Sequence, residues 1–146
     1  MTMNFNPFSA SFFDDEVRIR RLQMEVRQIE EMQLPIRQVA SDTWEAHILV
    51  YEGLWANLIH KACMIVPKRY PYQAPIVHWA TLLYPEHPNI YPTVAYQGLS
   101  NVCLSVLTKE GWRIEYTLVT VYDSLKWLLQ NPNYHHGQPQ GMRAGI

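Results

Sequence analysis

A proline-stiffened turn, His87-Pro88-Asn89, is followed fourteen residues later by a single cysteine, Cys103, in the stretch NVCLSVL. A thiolate attacks carbonyl carbon well and also leaves it well. A cysteine can therefore hold an acyl group as a thioester and give it up to an amine. That attack builds negative charge on the carbonyl oxygen. An amide such as Asn89, placed near it, stabilises the charge or fixes the loop that does. Pro88 restrains the turn, and His87 is expected to pack and hydrogen-bond rather than carry protons. The competing reading of Cys103 is a silent loop thiol. The other cysteine, Cys63, lies among apolar neighbours in LIHKACMIV and is expected in the core.

The composition bounds what such a thiol can serve. The chain has 146 residues, enough for one domain with one core. Apolar residues make up 48% and charged residues 17%, which describes a folded domain rather than a disordered one. A formal net charge of −1 gives no support to a nucleic-acid or membrane-surface role. No apolar run approaches a membrane span, and the start MTMNFNPFSA has no signal-peptide pattern. Two cysteines make neither a disulfide framework nor a CxxC site, and the six histidines lack metal-ligand spacing, so no metal is expected. The expected compartment is a reducing one, cytosol or nucleus.

The elements that must position the turn and the thiol read as follows. Residues 1–13, with Phe5, Phe8, Phe12 and Phe13, are expected to form a flexible tail, either idle or binding a partner through its aromatics. A helix is predicted from Asp14 to about Gln33. Ile19, Leu22, Val26 and Ile29 share its inner face, Asp14 or Asp15 caps it, and Pro35 closes it. Arg20, Arg21 and Arg27 lie away from that face. Three strands are predicted, at 44–51, 58–66 and 76–82. Trp44, Ala46, Ile48 and Val50 occupy one side of the first. The prolines of KRYPYQAP make a turn before the third. Residues 83–116 have no regular period, and so long a loop in a compact domain is usually functional. Thr117 then caps a second helix whose face is Leu118, Val121, Tyr122, Leu125, Leu128 and Leu129. Asn131-Pro132-Asn133 stops it. Residues 137–146 are expected to be a second flexible tail.

The ordered set RYPYQAP, HPNI, NVCLSVL, and GW followed by a helix ending in LLQNPN resembles the ubiquitin-conjugating enzyme family. The resemblance covers residues 16 to 136 and implies an α+β ubiquitin-conjugating-enzyme-like fold. That fold has an N-terminal helix, a four-strand antiparallel meander, an active-site loop and a following helix, here with the C-terminal helices absent, in a core domain spanning 14–136. It implies a transferase that takes ubiquitin or a ubiquitin-like modifier from an activating enzyme as a thioester on Cys103. The modifier then passes to a substrate lysine, usually with a ligase. No cofactor is implied on this chain, ATP being used by the activating enzyme. The resemblance carries catalytic roles to Cys103, Asn89 and His87. It carries ligase contacts to Tyr72 and the 113–115 loop, where Ile114 replaces the usual proline. It carries activating-enzyme contacts to Arg20 and Arg21.

The chain departs from the family in ways that bear on mechanism. The Asn89-to-Cys103 spacing is about six residues longer than usual, an extension that costs little loop entropy. The acidic residue often found after the PN turn is absent. His136 occupies its place by spacing and can serve as a base near neutral pH. Ala74 stands for the first proline of the usual pair. The alternative reading is therefore a catalytically impaired variant that binds modifier or partners. As to the modifier, EGLWAN and QLP are similar to the neddylation branch, whereas HPNIYP, CLSVL, WEAHI and GWR look like the sumoylation branch.

Overall fold

The computed structural model describes residues 10–91 and 99–135. Helix α1 (Ala10–Glu31) starts ahead of Asp14, so Asp14 and Asp15 lie inside it rather than at its cap, and Phe12 and Phe13 fall on the helix. It ends through Gln33 at φ 54°. The Leu34 N–H donates to the Ile29 carbonyl at 3.1 Å, and Pro35 follows.

Four strands then form one antiparallel meander in the order β1-β2-β3-β4. They are β1 (Ile36–Ala40), β2 (Thr43–Ile48), β3 (His60–Ile65) and β4 (Ile76–Trp79). The family resemblance implies four strands, whereas the residue pattern shows three. In β1 only Ile36 is buried, so this edge strand has no alternation to read. In β2, Trp44, Ala46 and Ile48 all face inward, as their spacing predicts.

Helix α2 (Leu118–Gln130) covers the inner face of the sheet. Thr117 caps it, and a reciprocal pair with Thr120 closes the first turn. All six residues predicted for its apolar face are buried, along with Val119. They meet Ala46, Ile48, Met64, Val77 and Trp79 in one core.

Inside this apolar contact lies one carboxylate. Glu25 of α1 is fully buried. Its oxygens accept from the Tyr70 hydroxyl at 2.8 and 2.7 Å and from the Leu118 N–H at 2.7 Å. Burial raises its pKa, while the Leu118 and Tyr70 bonds and the Arg21 charge oppose that rise. Glu25 thus ties α1, the Tyr70 turn and the first turn of α2 together, and it satisfies an orphan amide at the α2 N-terminus.

Candidate active site

The loop after β4 is built on a short ladder. Ile90 pairs antiparallel with Val102, and both are buried. The Cys103 N–H donates to the Asn89 carbonyl at 2.7 Å, and the Tyr91 N–H donates to the Asn101 carbonyl at 2.8 Å. This register sets Asn89 opposite Cys103 despite the long spacing between them. Val102 and Leu104 point into the core, so the two-residue period of extended backbone turns Cys103 outward. Its thiol is free and the residue exposed. A single 3-10 turn, Ser105–Leu107, follows.

His87 and Asn89 fasten this ladder to the end of α2. His87 is fully buried, with Nε2 at 2.8 Å from the Leu128 carbonyl. Its Nδ1 accepts the Asn89 N–H at 3.0 Å. The two partners fix one neutral tautomer, protonated on Nε2. Burial lowers its pKa, and the Leu128 bond only partly opposes this. The ring packs against that of Trp55 at a tilt of 39°, with centroids 4.5 Å apart. His87 thus packs and hydrogen-bonds through both ring nitrogens in this structure. The Asn89 amide meets the Asn133 main chain from both ends. Nδ2 donates to the Asn133 carbonyl at 2.9 Å, and Oδ1 accepts the Asn133 N–H at 2.7 Å. Asn89 is 1% exposed. Its amide thus ties the turn after α2 to the residue opposite Cys103.

The GW segment is anchored in the same way. The Trp112 indole N–H donates to the Pro71 carbonyl at 2.6 Å. Gly111, just before it, lets the chain lie against the Ser105–Leu107 turn, since a Cβ there would lie 2.0 Å from the Ser105 carbonyl oxygen. Tyr72 and Ile114 are each 47% exposed. A groove of about 660 Å³ runs between Tyr72, Gln73 and Ala74 on one side and Leu107, Lys109 and Trp112 on the other.

The two arginines assigned to the activating-enzyme face divide. Arg20 is exposed and pairs with Glu16 at 2.7 Å. Arg21 turns inward instead of standing on the surface. It donates to the carbonyls of Ile114 and Tyr116, and it lies 3.8 Å from Glu25. It braces the 113–116 loop from behind, which leaves Arg20 as the surface cation of the pair. His136 lies outside the described residues, as do residues 1–9 of the tail expected at 1–13 and residues 137–146 of the tail expected there.

Cys63 is a correction. Its apolar neighbours predict a core position, but His60, Ala62 and Met64 take the inner positions of β3. Cys63 therefore sits half-buried on the outer face. Burial raises its thiol pKa, Glu45 adds to the rise, and Lys61 opposes it. Among the described residues no group of three or more His, Cys, Asp or Glu is placed to hold a metal. Among them no helix is long and apolar enough to cross a membrane.

Sequence reasoning missed Glu25, although it falls at helical spacing within the Leu22–Ile29 stripe. It also missed Asn101, for which no periodic signal exists.

A family model described as ubiquitin-conjugating enzyme matches residues 18–144. Among curated proteins, the chain is 33% identical over 78 residues to human ubiquitin-conjugating enzyme E2 T, covering 51% of this chain and 36% of that one. It is 32% identical over 114 residues to the NEDD8-conjugating enzyme Ubc12 of Dictyostelium discoideum, covering 73% and 46%. To the fission yeast ubiquitin-conjugating enzyme E2-20 kDa it is 34% identical over 83 residues, covering 57% and 40%. The matches thus span about a third to a half of these relatives' length. The solved structure of human ubiquitin-conjugating enzyme E2 G1 superposes with a TM-score of 0.64 at 22% identity, over 76% of this chain and 93% of that one. At that identity the likeness concerns the fold.

Proposed function

The chain belongs to the ubiquitin-conjugating enzyme family, and on that premise we propose that it carries ubiquitin or a ubiquitin-like modifier as a thioester on Cys103. The Cys103 thiolate attacks the carbonyl carbon of a modifier held as a thioester on an activating enzyme. The activating enzyme's thiolate leaves, and the acyl group is now on Cys103. A substrate lysine amine then attacks the same carbon and loses a proton. An isopeptide bond forms and the Cys103 thiolate departs. A ligase brings the lysine, with Tyr72 and Ile114 as its contacts, and Arg20 faces the activating enzyme. His136 is the base proposed for the incoming amine. No cofactor is required on this chain, ATP being consumed upstream. A reducing compartment, cytosol or nucleus, keeps Cys103 available.

The observation that carries this reading is the exposed Cys103 thiol opposite Asn89, on a ladder whose flanking residues are buried. The test is a non-reducing gel after incubation with ATP and the activating enzymes for ubiquitin, NEDD8 and SUMO in turn. A thiol-sensitive adduct with one of them is expected and identifies the modifier. No adduct with any of them favours the binding-only variant, for which the long Asn89-to-Cys103 spacing is the motive.

A further inference from the structure

β4 ends the sheet, so among the described residues one of its sides has no strand beside it. Its outward-facing main-chain groups are nevertheless paired, and the residues just before Cys103 supply the partners. The Val77 N–H donates to Ser100 Oγ at 2.8 Å, and the Val77 carbonyl accepts the Asn101 N–H at 3.1 Å. The Trp79 N–H donates to Asn101 Oδ1 at 2.7 Å, and the Trp79 carbonyl accepts from Asn101 Nδ2 at 3.1 Å. Nδ2 also lies 3.4 Å from the Tyr91 carbonyl. Asn101 is 5% exposed and Trp79 is 1% exposed. One amide, two residues ahead of the thiol, thus takes the place of a fifth strand. The main chain of the same residue accepts the Tyr91 N–H across the Cys103 ladder.

We propose that Asn101 is a positioning residue for Cys103, docking the thiol's strand onto β4 as Asn89 docks it onto the turn after α2. This deepens, and rests on, the reading of Cys103 as the modifier-carrying thiol. The two amides grip opposite sides of a ladder too short to hold itself. A buried N–H and C=O deprived of partners recover them by local movement, here of the strand that carries the nucleophile. A displacement of about 1 Å at a reacting atom is enough to cost on the order of 10² in rate.

The test compares wild type, Asn101→Ala and Ser100→Ala in two measurements. In loading assays Asn101→Ala is expected to lower kcat by about tenfold or more, with KM for the activating enzyme within about twofold. Ser100→Ala, which removes one bond from the same edge, stays within about twofold in both. In native-state amide exchange, read without modifier or enzyme, the Tyr91 and Cys103 amides of Asn101→Ala lose about tenfold or more in protection. Those of β2, β3 and α2 change little. Unchanged kcat in a folded Asn101→Ala, or protection lost equally throughout, overturns the proposal. So does a loss in Ser100→Ala as large as that in Asn101→Ala. If wild type itself loads no modifier, the thioester reading fails, while the exchange pattern still decides whether Asn101 holds the Cys103 strand. If Asn101→Ala does not fold, Asn101→Thr takes its place. Wild-type kcat and protection in that variant overturn the need for the amide.

Discussion

Cys63 and Cys103 both lie on extended backbone, yet the two are held by different means. Cys63 sits in β3 with a strand on either side, facing Glu45 in one and His78 in the other. Main-chain bonds hold it, and its thiol is half-buried beside a carboxylate. Cys103 sits on a ladder with one bridged residue pair, and side chains supply the rest of its support. His87 reaches Leu128, Asn89 reaches Asn133, and Asn101 reaches Trp79. A continuous sheet holds a thiol rigidly but hides it among neighbours. An exposed thiol has few neighbours, so buried side chains that reach partners outside the ladder must fix its position. The largest effect expected from this contrast is all-or-none. Cys103→Ala abolishes thioester loading on a non-reducing gel, and Cys63→Ala leaves it within about twofold. Loading that survives in Cys103→Ala would end the assignment.

The next effect separates the two roles open to Asn89. Its amide is engaged with both polar groups of the Asn133 main chain. Removing it in Asn89→Ala leaves those groups without that partner, which costs about 1–3 kcal/mol of stability. Discharge to lysine slows together with that loss, because the turn beside the thiol loosens. A direct donor to the oxyanion behaves differently. Its removal costs on the order of 10²–10³ in rate with stability nearly unchanged. Urea titration and single-turnover discharge on the same variant decide between them. A rate loss without a stability loss would overturn the loop-holding role.

Much of this contrast is written in the sequence at one level and absent at another. Helix α2 and strand β2 are legible because burying one face imposes a period on residue types. Leu118 through Leu129 and Trp44 through Ile48 show it directly. The family is legible in HPN and CLSVL because the order of residue types carries it. β1 is not legible, since an edge strand with one buried residue imposes no alternation. Nor is the early start of α1, because residues 10–13 precede the apolar stripe that marks the helix. Glu25 and Arg21 defeat the rule that charge points outward, because each finds partners across about ninety residues of chain. The Asn89–Asn133 and Asn101–Trp79 clamps join side chains to main chain. Main-chain partners have no residue type to betray them.

A smaller effect sharpens the comparison of thiols directly. Cys103 is exposed, whereas burial and Glu45 hold the Cys63 thiol pKa up. Under native conditions near pH 7, iodoacetamide is expected to modify Cys103 at least about tenfold faster than Cys63. Peptide mapping of a time course reads the two rates separately. Equal rates would mean that the thiol on the short ladder is as shielded as the one on the sheet.

The smallest effect concerns the support behind the ladder. His87 is neutral in the native state, its pKa pulled below the ordinary 6.5 by burial. In the unfolded chain that restraint is gone. As pH falls through 6.5 the unfolded state takes up a proton first, so the stability His87 contributes is whole above that value. It is lost as pH falls further, at up to about 1.4 kcal/mol per pH unit, until the native group also protonates. A protonated ring would have no lone pair on Nδ1 to accept the Asn89 N–H, so the turn opposite Cys103 loosens first. His87→Gln removes the titration. Between about pH 7.5 and 5.5 its stability should fall less steeply than that of wild type in parallel urea titrations. Parallel slopes would mean that His87 gains its proton as easily folded as unfolded, and the ladder would then have no pH-sensitive support on its α2 side.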